Sequence, residues 1–176
     1  YDVCGLVGEN NGQITDSYAI GTVTGYMGVG GLVGNNNGAI DASWAEGTVK
    51  ERVKSYFFGG LVGENANDGT ITNCHANVTV NSPKSVDAGG LVGSNNGSIT
   101  GSYAVGEVKG FSAVGGLVGG NSGYIEKSYS TGTVAGKLAG GLVGSNIGSI
   151  NQSYAGGNVS GLEMIGGLVG NNNGSI

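Results

Sequence analysis

The chain has 176 residues, of which 40 are glycine and one is proline, so a collagen repeat and a proline-rich linker are both excluded. Hydrophobic residues make up 38% and charged residues 11%, a balance at odds with a disordered chain despite the glycine. Seven Lys and Arg against twelve Asp and Glu give −5, which argues against nucleic-acid partners and anionic membrane surfaces, and no apolar run reaches the roughly 18 residues of a membrane span.

Read from the N-terminus, the sequence repeats itself. Gly-Leu-Val-Gly recurs with its leucine at Leu6, Leu32, Leu61, Leu91, Leu117, Leu142 and Leu168, most often 26 residues apart. Alignment on that leucine gives G-G-L-V-G-x-N-x-G-x-I-x-x-S-Y-A-x-G-x-V-x-G, followed by about four variable residues. An asparagine column follows the leucine: Asn10, Asn36, Asn65, Asn95, Asn121, Asn146 and Asn172. An isoleucine column runs Ile14, Ile40, Ile71, Ile99, Ile125, Ile150 and Ile176. Next come the rings Tyr18, Trp44, His75, Tyr103, Tyr129 and Tyr154, and then Val23, Val49, Val80, Val108, Val134 and Val159. The second unit is lengthened between Lys50 and Phe58, the third between Asn65 and Gly69 and again through Pro83.

Glycine every few residues excludes helix, at about 0.8–1 kcal/mol each relative to alanine. Each unit instead offers three extended runs, V/A-G-G-L-V, I-x-x-S-Y-A and G-x-V-x, punctuated by Gly and Asn-Gly at turns expected to need positive φ. One unit has too few apolar side chains for a core of its own. Stacked coils about 4.8 Å apart do bury one, because each column then becomes a ladder along the axis. The expected fold is all-β, a parallel β-helix (β-solenoid) of about six complete coils and a partial seventh. Ile, Val and Leu would fill its interior, Ala and Ser its narrow parts, and the Asn column would form a hydrogen-bonded ladder.

The unit G-G-L-V-G-x-N-x-G-x-I-x-x-S-Y-A-x-G-x-V-x-G resembles the GLUG motif, a short tandem repeat of bacterial surface and secreted proteins, over essentially the whole chain. The resemblance implies an extracellular bacterial scaffold, as in adhesin-like proteins and the repeat segments of IgA1-cleaving metalloproteases. It brings no catalytic residue, and no His-Glu-x-x-His zinc motif is present.

Chemistry-bearing residues are sparse. The sole histidine, His75, stands in the ring column and reads as a substituted ladder residue. Asp16 with Asp41, and Glu9 with Glu64, read as mutually repelling surface acids rather than a working dyad. There is no EF-hand loop, calcium nonapeptide or phosphate-binding Gly-Lys-Ser/Thr, so no catalytic residue, metal or cofactor is expected. Cys4 and Cys74 fall on different runs two coils apart and are expected to stay reduced. The five Asn-x-Ser/Thr sequons reflect composition.

Three functions fit these facts. One is a non-catalytic structural or adhesive module, secreted or on a cell surface; another is an accessory segment of a large secreted enzyme. The third, ice or glycan binding by a flat face, suffers from irregular outward columns: Thr22, Thr48, Thr79, Glu107, Thr133, Asn158 and Thr24, Lys50, Asn81, Lys109, Ala135, Ser160. Residues 1–176 read as one solenoid domain, and the mid-unit stop at Ile176 leads us to expect flanking coils or end-to-end self-association. The six rings are expected to face outward as a strip, stacking on one another or docking a glycan or a host or cell-surface protein. The second unit is expected to throw out a partner-binding loop carrying Arg52, Lys54, Tyr56 and Phe57, beside a lengthened tail at Pro83 and Lys84.

Overall fold

A computed structural model describes residues 2–176, and every regular element among them is a β-strand. The chain winds as a β-solenoid of about seven turns, roughly 26 residues apart. All strand pairing is parallel and keeps the sequence register: Val62 lies between Val33 and Val92, Ile71 between Ile40 and Ile99, His75 between Trp44 and Tyr103. Three sheets result, of twelve, seven and six strands. In one full turn the widest sheet takes Tyr18–Gly25 and Val29–Gly30, the second takes Val33–Asn36, and the third takes Ala39–Asp41.

The core is the predicted set of ladders. Leu32, Leu61, Leu91, Leu117 and Leu142 are fully buried, as are Ile71, Ile99 and Ile125 and the valines Val49, Val80 and Val108. Phe58 occupies the site of Val29 and Val114 without any exposure. Each such residue brings about 1.5–3 kcal/mol of burial, and stacking supplies the neighbours that a lone unit lacks.

Each coil has four corners, and three of them repeat. At the Gly-Leu corner, Gly31, Gly60, Gly90, Gly116 and Gly141 lie against the backbone of the next coil. A methyl on Gly90 would collide with the carbonyl oxygen of Gly116. At the Asn corner the chain passes from the second sheet to the third. At the Ser corner it returns to the widest sheet through Asp16, Ala42, Asn73, Lys127 and Gln152, all with φ between 47° and 53°, and through Gly101 at 60°. The fourth corner bends the widest sheet and holds the variable residues. It leaves that bend through Asp2, Gly28, Phe57, Asp87 and Ala113, again left-handed.

Two expectations about the backbone are corrected here. The run I-x-x-S-Y-A is two strands, because the left-handed residue before its serine turns the chain; Ile14 belongs to Gln13–Thr15, and Tyr18 opens Tyr18–Gly25. Positive φ falls mostly on non-glycine residues. The glycines are needed mainly for the close approach of coils, since the space for a Cβ is taken by the carbonyl of the next coil.

Candidate functional site

The asparagine column lies buried at its corner from Asn10 to Asn146, and only Asn172 is exposed. Asn36 Nδ2 donates to Asn65 Oδ1 at 2.8 Å, Asn65 to Asn95 at 2.8 Å, Asn95 to Asn121 at 2.8 Å and Asn121 to Asn146 at 2.7 Å. Asn10 and Asn172 complete the row at either end. The second amide proton of each reaches a nearby glycine carbonyl, for example Asn65 to Gly69 at 3.1 Å. From Asn10 to Asn146, donors and acceptor are thus taken up inside the protein, which leaves this buried row no free donor for a ligand.

A second polar ladder, at the Ser corner, was not anticipated. The Ser17 N–H donates to Ser43 Oγ, Cys74 N–H to Ser102 Oγ, Ser102 N–H to Ser128 Oγ and Ser128 N–H to Ser153 Oγ, at 3.0–3.2 Å. Each hydroxyl in turn donates to the carbonyl two residues earlier, as Ser102 does to Thr100. Cys74 takes a serine's place: the Ser43 N–H points at its sulfur at 3.4 Å, and the thiol reaches the Thr72 carbonyl at 3.1 Å. Burial pushes that thiol up to about 11, which keeps it protonated, and both cysteines are free. Serine here looked like a filler because its partner lies a whole coil away in sequence.

The six rings form one stack on the outside of the widest sheet. Tyr18 and Trp44 are 4.6 Å apart between centroids, Trp44 and His75 5.9 Å, and the three pairs from His75 to Tyr154 4.9 Å each, all within 9° of parallel. Alternation explains the orientation, because Ala45, Ala76 and Ala104 beside them point inward and are buried. Partial burial holds His75 below the usual histidine range. Ring faces are covered by ring faces, and only edges meet solvent along the row. A sugar that recognises an aromatic face finds none open between Trp44 and Tyr129, so the strip braces coils.

The fourth corner differs from coil to coil. Arg52, Val53 and Lys54 bow outward after the strand Trp44–Glu51 and are exposed. Tyr56 and Phe57, expected on the same loop, instead start the strand Tyr56–Gly59, in which Tyr56 pairs with Val86. Ser55 brings the chain back by donating its N–H to Ser85 Oγ at 3.0 Å. The expected protruding tail at Pro83 and Lys84 is also corrected: both lie within the strand His75–Gly89, at an irregularity in its pairing between Ser82 and Val86. Glu51 fastens this place, accepting from the Lys84 N–H at 3.1 Å and from the Ser85 hydroxyl at 2.5 Å.

Residues that the sequence reading passed over complete this corner. Phe111 is exposed, with Lys54 Nζ and Lys137 Nζ each 5.8 Å from its ring centroid. An open groove of about 440 Å³ runs from Pro83 and Lys109 past Phe111 and Lys137 to Leu162, floored by Gly110, Gly136 and Gly161. The signal for it was present: the four residues at the end of each unit vary together, and the fold stacks them on one edge.

Two stretches, residues 58–81 and 112–135, match the family model described as the GLUG motif. The chain is a GLUG-motif repeat protein. No curated protein and no solved structure gives a significant match. Both GLUG matches begin at the exit of the variable corner, at Phe58 and Ser112, and stop at Asn81 and Ala135 as the chain approaches it again. The motif therefore covers the three repeated corners and leaves out the fourth. Among the described residues no three His, Cys, Asp or Glu side chains gather as metal ligands would.

Proposed function

We propose that these GLUG repeats form a non-catalytic scaffold and adhesion module of a bacterial surface or secreted protein, working outside the cell. One observation carries this reading: three corners are locked by ladders that run from coil to coil, while the fourth varies. Such a division suits a stiff rod that presents a particular edge to a partner. The ladders consume the repeated polar groups in holding coils together, and the variable side chains stand in solvent, where a partner can reach them.

The test uses antibody raised against residues 1–176 on intact and on permeabilised source cells, together with attachment of inert beads coated with the module. Labelling of intact cells, or recovery from the medium, with bead attachment to a host or cell surface, supports the reading. Labelling only after permeabilisation overturns it. A zinc-protease motif in the same open reading frame, with beads that attach to nothing, would replace it by the role of an accessory segment of a secreted enzyme.

A further inference from the structure

The GLUG rod is acidic, yet its cations are not spread over it. Of the seven, Lys50, Arg52, Lys54, Lys84, Lys109 and Lys137 stand at or beside the variable corner, and only Lys127 lies elsewhere. The carboxylates at this corner are Glu51, Glu107 and Glu163, with Asp2 and Asp87 at its exit. Six cations less five carboxylates leave +1 here, and one cation less the seven other carboxylates leaves −6 on the rest, which together make the −5 of the chain. Lys109 and Lys137 are paired with Glu107 and Glu163, both at 2.9 Å. Among the described residues, Lys50, Arg52, Lys54 and Lys84 have no carboxylate within ion-pair distance.

The cations follow the axis. Lys54, Lys84, Lys109 and Lys137 come from four successive coils about 4.8 Å apart, in more than one column of the register, and Lys54 and Lys137 both close on the Phe111 ring. Between them lie Pro83, Phe111 and Leu162, apolar and exposed, above a floor of glycines. We infer that this edge binds a linear acidic polysaccharide, with one carboxylate per sugar held by the row of lysines and the apolar faces of the sugar rings laid on Phe111, Pro83 and Leu162. This rests on the reading of the chain as an extracellular adhesion module and names its partner.

Three observations favour a uronate chain over other anions. An acidic peptide docks best by adding a strand along a free sheet edge, but the strands entering and leaving this corner already pair with the coils on either side, and the pairing lapses only over the few residues of the bend. A duplex nucleic acid carries about one charge per 1.7 Å of its axis, far denser than this row, and would meet the −6 of the remaining surface. The groove is shallow, apolar in its middle and charged at its rim, which suits flat pyranose rings with equatorial carboxylates.

The experiment measures binding of residues 1–176 to polygalacturonate in dilute salt, with fully methyl-esterified polygalacturonate, poly-glutamate and duplex DNA as comparisons. The expected result is binding to polygalacturonate that weakens as salt rises, with the ester, poly-glutamate and DNA at least tenfold weaker. The triple variant Lys54→Ala, Lys84→Ala, Phe111→Ser removes only exposed side chains, keeps the melting temperature within a few degrees and loses at least tenfold in binding. Failure of the parent to bind polygalacturonate, equal binding to poly-glutamate or DNA, or a well-folded triple variant that still binds would each overturn the inference. The triple substitution on bead-bound protein separates the two readings: beads that attach to cells equally well with and without it keep the adhesion role and discard this edge as its site.

Discussion

The Asn corner and the variable corner are built from the same backbone winding and are opposite in design. At the first, one residue type occupies every coil, is buried and spends its hydrogen bonds on its own copies above and below. At the second, coil after coil presents different side chains: Lys54, Pro83, Phe111, Lys137 and Leu162, mostly in solvent. Identity along a ladder produces cooperation between coils, since a group satisfied in one coil is the partner of the next. Difference along an edge produces no such coupling and leaves chemistry free for something outside the molecule. Stability should thus concentrate in the repeated corners and recognition in the variable one, and substitutions can test that division directly.

The strongest test is steric. Gly90→Ala puts a methyl where the Gly116 carbonyl oxygen stands, with the Ala104 side chain also close by, and neither coil can yield without breaking register. We expect a loss of at least about 3 kcal/mol, read as a split or lost thermal transition and reduced β signal in circular dichroism. Gly156→Ala is its partner: the new methyl would lie 3.6 Å from the Thr131 methyl, an ordinary contact, and stability should move by less than about 0.5 kcal/mol. Equal behaviour of the two would show that glycine serves some purpose other than close approach.

Next in size is the ladder itself. Asn95→Ala leaves the Asn65 amide without its acceptor and the Asn121 carbonyl without its donor, both buried. At about 1–3 kcal/mol for each orphaned group, the loss should reach roughly 2–5 kcal/mol in a denaturant titration. The triple substitution at Lys54, Lys84 and Phe111 should cost almost nothing in the same titration. If both were equally destabilising, the contrast between the two corners would fail.

How much of this could be read from the sequence follows from the same contrast. The Asn, Ile, Leu and Val columns were legible because every coil spells them alike, and identity at a fixed interval already implies a ladder. The Ser ladder was not, since a serine's partner lies about 26 residues away and Cys74 interrupts the column. The left-handed corners were hidden for another reason. Asp16, Ala42, Lys127 and Gln152 share a backbone conformation but no side-chain chemistry, so stacking rather than turn propensity imposes it. Tyr56 and Phe57 were misplaced because an insertion tells where a coil is longer, not where it rejoins the sheet; Ser55 and its bond to Ser85 mark that point.

A milder test probes the exit of the variable corner. Asp87 is left-handed at φ 56°, with its carboxylate oxygen 3.0 Å from where a Cβ on Gly120 would be, and burial pushes its carboxyl up to about 6. A carboxyl raised from 3.8 stabilises the fold most when protonated, so its contribution is full below about pH 3.8 and is lost as pH rises through about 6. Asp87→Asn keeps the shape, tolerates the left-handed backbone and carries no charge. It should stabilise the protein by on the order of 1–2 kcal/mol near pH 7.5 and by almost nothing near pH 3.5. Comparing variant with parent at each pH cancels the opposite contribution of His75, whose lowered value costs stability as pH falls. A pH-independent difference would mean that the carboxyl is not strained by burial.

The smallest expected effect concerns the Ser corner, where the backbone repeats but the residue does not. Ala42 sits there at φ 47°, exposed, in the column that holds Gly101 at 60° two coils further on. A non-glycine residue in this conformation costs about 1–2 kcal/mol, part of which glycine gives back through its greater freedom in the unfolded chain. Ala42→Gly removes an exposed methyl and leaves the Ala42 N–H bonded to the Thr72 carbonyl at 3.1 Å. We expect a gain of up to about 1 kcal/mol, seen as a rise of a few degrees at most in the melting temperature. Gly101→Ala should cost a similar amount, because it carries the same strain into a coil that now avoids it. If both substitutions lower stability, the left-handed turn is not where the strain lies, and the Ser hydroxyl bonds alone hold that corner.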